Sequence, residues 1–62
     1  MDFDDFTVGA ICRILQRGVM VYVRRVTDHE LIWEGWAIDG FDNEMKVKGI
    51  EIVDNDIVRL YV

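Results

Sequence analysis

Residues 7–26 read TVGAICRILQRGVMVYVRRV, and the period of the apolar positions changes inside that stretch. Val8, Ile11, Cys12 and Leu15 recur at i, i+3, i+4 and i+7, with Ile14 widening the stripe and Arg13, Gln16 and Arg17 left for water, which predicts an amphipathic helix. Thr7 is its N-cap, Phe6 and Ile11 are placed as a hydrophobic staple across that cap, and Asp4 and Asp5 suit the positive helix end. Gly18 is the expected C-terminal stop. From Val19 the period becomes two: Val19, Val21 and Val23 fall on one face and Met20, Tyr22 and Arg24 on the other, in a run rich in β-branched residues.

Outward from that switch the chain reads as strands and turns. Thr27 to Glu30 is turn-like, and Leu31, Trp33 and Ala37 then alternate with Ile32, Glu34, Trp36 and Ile38, which predicts a hairpin. Asp39 to Glu44 is a polar loop anchored by Phe41. A third strand is expected over Met45 to Val53; its apolar positions change phase between Val47 and Ile50, and a bulge at Gly49 would return both sets to one face. Asp54 to Asp56 forms a turn, and Ile57 to Val62 a last strand with Val58, Leu60 and Val62 on one side. The expected architecture is a single α+β domain over residues 1–62, an N-terminal helix packed on a four-stranded antiparallel meander sheet, with a small bent-sheet barrel as the alternative. Val8, Ile11, Cys12 and Leu15 should pack against Val21, Trp33, Val47, Ile52, Val58 and Leu60, with Leu15→Ala costing about 2–5 kcal/mol.

Composition narrows the function classes. Sixty-two residues, 52% of them hydrophobic, suffice for one core, and a fold of this size gains from a partner. The single Cys12 cannot form an internal disulfide, and with His29 as the only histidine there is no zinc set. The aspartates at positions 2, 4 and 5 replace the basic start of a secretory leader, and no apolar run reaches membrane-span length, so a cytoplasmic setting without a membrane partner is expected. A net charge of −5 disfavours nucleic acid, whose binding rests on Lys and Arg, and favours basic partners. Arg13, Arg17, Arg24 and Arg25 are uninterrupted by acids while Asp28 to Asp56 holds nine acids against Lys46 and Lys48, which suggests a two-sided molecule.

Catalytic patterns find little purchase. There is no serine for a triad, Cys12 falls on the buried side of the helix while His29 lies in a turn, and Asp39, Asp42, Glu44, Asp54 and Asp56 fall in turns rather than in a shared cleft. Asp54 to Asp56 begins like a calcium loop but lacks the later glycine and glutamate, and Phe41 occupies a required ligand position in Asp39 to Glu44. No glycine-rich phosphate loop exists. We therefore expect no catalytic, cofactor-binding or metal site, no cofactor and no small-molecule ligand. One helix covers one sheet face, so the face carrying Tyr22, Arg24, Ile32, Trp36, Arg59 and Tyr61 is the expected partner surface, most simply for a second copy of the chain in a homodimer and otherwise for a host protein.

The order of a Thr-Val helix start, Gly18, a valine strand, Trp33-Glu34-Gly35-Trp36-Ala37, the loop, Val47, Ile50 and Asp54 to Val62 resembles small uncharacterised proteins of phages and prophages in low-GC Gram-positive bacteria. That resemblance implies an accessory protein of a mobile element. Gly35, Phe41, Asp42 and Met45 are similar to the first motif of Sm-like RNA-binding proteins, but the stretch from Gly35 to Phe41 is one residue too long, Lys46 stands where an RNA-contacting Asn is expected and no Arg-Gly pair occurs near the end, so the resemblance implies only the fold alternative, a small Sm-like or SH3-like bent-sheet barrel. The expected function is that of a non-enzymatic accessory protein binding a host protein stoichiometrically, one version being inhibition of a nucleic-acid-targeting defence enzyme in the manner of anti-CRISPR proteins. The alternatives are a single-stranded nucleic-acid module using the same face and a structural, self-associating homodimer.

Overall fold

The computed structural model describes residues 6–62. Helix α1 spans Val8–Ile14, followed by strands β1 (Met20–Arg24) and β2 (Leu31–Trp36), a short 3-10 helix (Ala37–Gly40), and strands β3 (Gly49–Asp54) and β4 (Ile57–Tyr61). The domain is α+β, with one helix on a four-stranded mixed sheet of order β2-β1-β4-β3. The expected antiparallel meander is corrected here: β1 pairs antiparallel with β2 and β3 antiparallel with β4, but β1 and β4 run parallel at the centre. The two central strands are the ones whose inward residues, Val21, Val23, Val58 and Leu60, are buried, whereas β2 and β3 are largely exposed and take the edges. The ladder does not close between β2 and β3, so among the described residues the sheet is open rather than a barrel.

Thr7 caps α1 as expected, its Oγ1 accepting from the Ala10 N–H at 3.1 Å. The two preceding donors, Val8 N–H and Gly9 N–H, bind the carbonyls of Met45 (2.8 Å) and Asn43 (2.7 Å), so the loop after the 3-10 helix satisfies the helix start. Phe6 and Ile11 both pack into the core. The dipole role expected of Asp4 and Asp5 lies outside the described residues. Gly18 does not end the helix: Leu15 is the C-cap in extended conformation, and no glycine has positive φ. Ile14 is 78% exposed rather than part of the stripe. At 3.6 residues per turn it sits about 110° from the centre of the Val8, Ile11, Cys12 and Leu15 stripe, beyond what a short helix buries.

On the helix side of the sheet two rows run across the strands, Gly35, Val21, Val58, Ile52 and Trp33, Val23, Leu60, Ile50. Val8, Ile11, Cys12, Val19, Ala37 and Val47 complete the core with the central members of those rows, and Leu15 and Trp33 are only half-buried against it. Ile52, expected in the core, is 69% exposed. The reason is the position of α1, which packs against the 3-10 helix and the β2 side of the sheet: a Cβ on Gly40 would lie 2.8 Å from Cys12 Sγ and 3.1 Å from the Trp33 ring. The core cover therefore runs out before β3.

The third strand is shorter than the expected 45–53. Thr7 and Lys46 form an isolated antiparallel bridge, and the ladder with β4 begins at Gly49. Lys48 N–H donates to the Tyr61 carbonyl while Gly49 is registered opposite Tyr61, so two residues address one and the buried Val47 and the helix-side Ile50 share a face across the expected phase change. A Cβ on Gly49 would meet Tyr61 at an ordinary 3.6 Å, so the site does not require glycine. A second register shift, at Ile52/Asp54, had no signal in the sequence.

Cys12 is fully buried, and burial pushes its thiol pKa up. In the native chain a disulfide reagent such as DTNB should react with it at least about a hundredfold more slowly than in denaturant, because access requires opening of the core. Equal rates in the two conditions would contradict the buried placement.

Candidate interaction face

The face opposite α1 is assembled by register. Across the sheet the rows read Trp36, Met20, Ile57, then Glu34, Tyr22, Arg59, Glu51, then Leu31, Arg24, Tyr61, Gly49. Five of the six residues anticipated for this face, Tyr22, Arg24, Trp36, Arg59 and Tyr61, are brought together. Ile32 is not in a row, because the β1–β2 register shifts between Val23 and Arg24 and Leu31 is the residue opposite Arg24. Ile32 remains exposed at the sheet edge. Trp36, at the corner of the face, is 49% exposed, while Tyr22, Arg59 and Tyr61 are half-buried by their neighbours.

The polar groups of this face are largely engaged with one another. Arg59 Nη1 donates to Glu51 Oε1 at 2.6 Å and lies 3.5 Å from the Tyr61 hydroxyl, which in turn reaches Glu51 Oε1 at 3.4 Å. The Tyr61 oxygen and the Glu51 carboxylate push the Arg59 pKa further up, so it stays cationic throughout the working pH range. Arg24 Nη1 donates to the His29 carbonyl at 2.9 Å, and the His29 ring stands tilted on Tyr61 with centroids 5.8 Å apart. His29 reaches this position from a turn in which it alone among the described non-glycine residues has positive φ, 60°. Its N–H binds the Arg25 carbonyl at 2.8 Å.

Sequence reading put Met20 beside Tyr22 and Glu34 beside Trp36 on the outward side of their strands without counting them among the partner residues, and it missed Glu51 and Ile57. For Glu51 the signal was available in part, as a carboxylate alternating with Ile50 and Ile52 on a strand, but its meeting with Arg59 depends on the β3–β4 register. The charge set is balanced, Arg24 and Arg59 against Glu34 and Glu51, which is unlike a phosphate-binding surface.

The expected two-sided charge distribution is not what the fold produces. Asp28 and Glu30 lie at the end of the sheet where β1 finishes, and both accept an ion pair from Arg25 Nη1 at 3.1 Å. The Glu30 N–H and the neighbouring Arg25 hold the Asp28 pKa below the usual carboxylate range. Asp54 and Asp56 lie at the opposite end, where the Asp56 carbonyl accepts from Met20 N–H. Asp42 and Glu44, with Thr7, Arg13 and Asn43, line an open hollow beside α1. Among the described residues no three His, Cys, Asp or Glu side chains converge on a point, and no helix is long and apolar enough to cross a membrane.

The fold and this face define a small α+β domain in which, among the described residues, α1 covers one sheet surface and no element covers the other. Comparison with family models, curated proteins and solved structures gives no match.

Proposed function

We propose that this chain is a non-enzymatic binding protein that acts stoichiometrically on another protein, with the uncovered sheet face as its contact surface. The observation that carries the reading is the row of Trp36, Met20 and Ile57 beside Tyr22, Arg24, Arg59 and Tyr61 on a face that α1 does not cover. Aromatic and arginine side chains concentrate binding energy at protein interfaces, and their apolar area gains when water leaves. Because Arg59 is tied to Glu51 and Arg24 to a carbonyl, neither cation is free to follow a phosphate backbone, which favours a protein partner over single-stranded nucleic acid. The net charge of −5 steers the chain toward a basic partner, and a host enzyme whose groove normally holds nucleic acid is the target class we infer, consistent with an accessory role on a mobile element.

The test is capture from a bacterial lysate on the immobilised chain, with and without nuclease, beside Trp36→Glu. A discrete protein retained after nuclease and reduced at least about tenfold by Trp36→Glu is the expected result, since a buried charge at an aromatic anchor costs more than 1.4 kcal/mol. Retention that disappears with nuclease would favour the nucleic-acid reading instead. Trp36 is half-exposed, so circular dichroism of the variant should match the parent.

A further inference from the structure

We propose that the free edge of β2 takes up an extended, lysine- or arginine-bearing segment of the partner protein as a fifth strand, an inference that deepens the reading of this chain as a protein-binding protein and rests on it. The unpaired backbone groups follow from the ladder. Ala37 N–H donates to the Val19 carbonyl at 2.9 Å, and Met20 N–H turns away from β2 to the Asp56 carbonyl at 2.8 Å. Bonded and non-bonded positions alternate in an antiparallel pair, and the register from Met20↔Trp36 to Val23↔Trp33 is unbroken. Gly35 and Trp33 therefore bond to β1, while the N–H and C=O of Glu34 and the N–H of Trp36 point away from the sheet. The Trp36 carbonyl serves the 3-10 helix that Trp36 caps. Among the described residues no neighbouring strand, turn or loop bonds to the three outward groups. The described chain starts at Phe6, whose carbonyl accepts from Val47 just before β3, at the other edge of the sheet.

The side chains select the occupant. β2 carries neither the lysine nor the proline with which sheet edges are commonly closed to other chains, and Leu31, Ile32 and Trp36 along it are exposed. No lysine or arginine occurs between Arg25 and Lys46. The exposed charges here are Glu34 and, on the 3-10 helix that continues the strand, Asp39; neither is in an ion pair among the described residues. A strand laid along this edge sets alternate side chains beside Glu34 and Trp36 on the uncovered face. Lysine or arginine at those positions gains a cross-strand carboxylate and an aromatic ring. A second copy of the chain offers the reverse, bringing two acidic edges together on molecules of net charge −5. In such strand addition the main chain supplies the bonds and the alternate side chains supply the choice of partner.

Amide hydrogen exchange of the full chain tests this, with a short alternating lysine–threonine peptide as the probe. In the free chain the Glu34 and Trp36 amides should exchange at least about tenfold faster than those of Trp33 and Gly35, which bond to β1. Saturating lysine peptide should slow Glu34 and Trp36 at least about tenfold. An alternating glutamate–threonine peptide, and the lysine peptide methylated at every backbone nitrogen, should not. Glu34→Pro removes an outward N–H and no bond to β1, so its circular dichroism should match the parent while the peptide no longer protects Trp36. Glu34 and Trp36 amides already protected in the free chain overturn the proposal, and protection that grows with chain concentration assigns the edge to a second copy. A lysine peptide that protects neither amide, or a glutamate peptide that protects both, also overturns it. Capture from lysate separates this inference from the reading it rests on. A partner lost with Trp36→Glu but retained by Glu34→Pro leaves the face as the contact surface and overturns the edge, whereas peptide protection with no partner lost on Trp36→Glu supports the edge and overturns the face.

Discussion

Leu60→Ala should remove about 2–5 kcal/mol of stability and lower the melting temperature by at least about 10 °C. Leu60 is the largest side chain that is fully buried, and it stands on β4 between Val23 of β1 and Ile50 of β3, facing the helix layer. Truncation removes its packing and leaves a cavity that a sheet held by ladders on both sides cannot collapse to fill. A domain of 62 residues holds about 3–9 kcal/mol in total, so this one change consumes a large part of it. Leu15→Ala should cost less, because Leu15 is only half-buried at the helix C-cap, and the 2–5 kcal/mol expected of it from the sequence belongs to Leu60. Urea unfolding of the two variants checks this: the Leu60 midpoint must fall further with an unchanged slope. A Leu15 variant as damaged as the Leu60 variant would mean that the helix C-terminal half is more deeply packed than its exposure indicates.

What was legible in the sequence is what period encodes. The Val8, Ile11 and Cys12 part of the helix stripe, its Thr7 cap, the buried alternation of Val19, Val21 and Val23, and the phase change between Val47 and Ile50 are all local patterns, and the structure reproduces them. Strand neighbours are a different kind of information. Alternation says which way Val21 and Val58 point, but not that their strands lie side by side in parallel, because that choice depends on where the connection through β2, the 3-10 helix and residues 41–48 delivers the chain. The two most buried strands pair at the centre, which a meander would have kept apart. Ile52 was misplaced for the same reason: its face was right, but α1 covers the β2 side and leaves β3 bare.

The interaction face was legible to the same depth. Tyr22, Arg24, Trp36, Arg59 and Tyr61 fall together because parity survives any pairing in register. Ile32 slipped out because a register shift is invisible to parity, and Glu51 was overlooked because its partner Arg59 is fixed by pairing alone. The charge segregation read from the chain dissolves in space, since the acids of the β1–β2 turn pair with Arg25 while those of the β3–β4 turn are carried to the opposite end of the sheet.

Gly9→Ala should destabilise the chain by about 1–3 kcal/mol, against the usual preference for alanine in a helix. Alanine gains about 1 kcal/mol over glycine in a helix interior, so without tertiary contacts the change would be favourable. Here a Cβ on Gly9 would run into the carbonyl oxygens of Phe41 and Asn43, the latter at 2.9 Å, and these are backbone atoms that cannot swing aside as a side-chain tip can. The Asn43 carbonyl is also the acceptor of Gly9 N–H, and the next carbonyl that holds the helix, on Met45, accepts from Val8 N–H. Moving the loop to admit a methyl group loosens both bonds and exposes two helix-start donors that nothing else satisfies. Gly18→Ala is the control: nothing lies within 4 Å of its would-be Cβ and its φ is not positive, so the change should be neutral or stabilising by about 0.4–1 kcal/mol. Thermal unfolding of both variants should thus move in opposite directions or split by several degrees. Two variants of equal stability would show that the loop at Phe41 to Met45 gives way freely, and that the docking of the helix start on it contributes little to the fold.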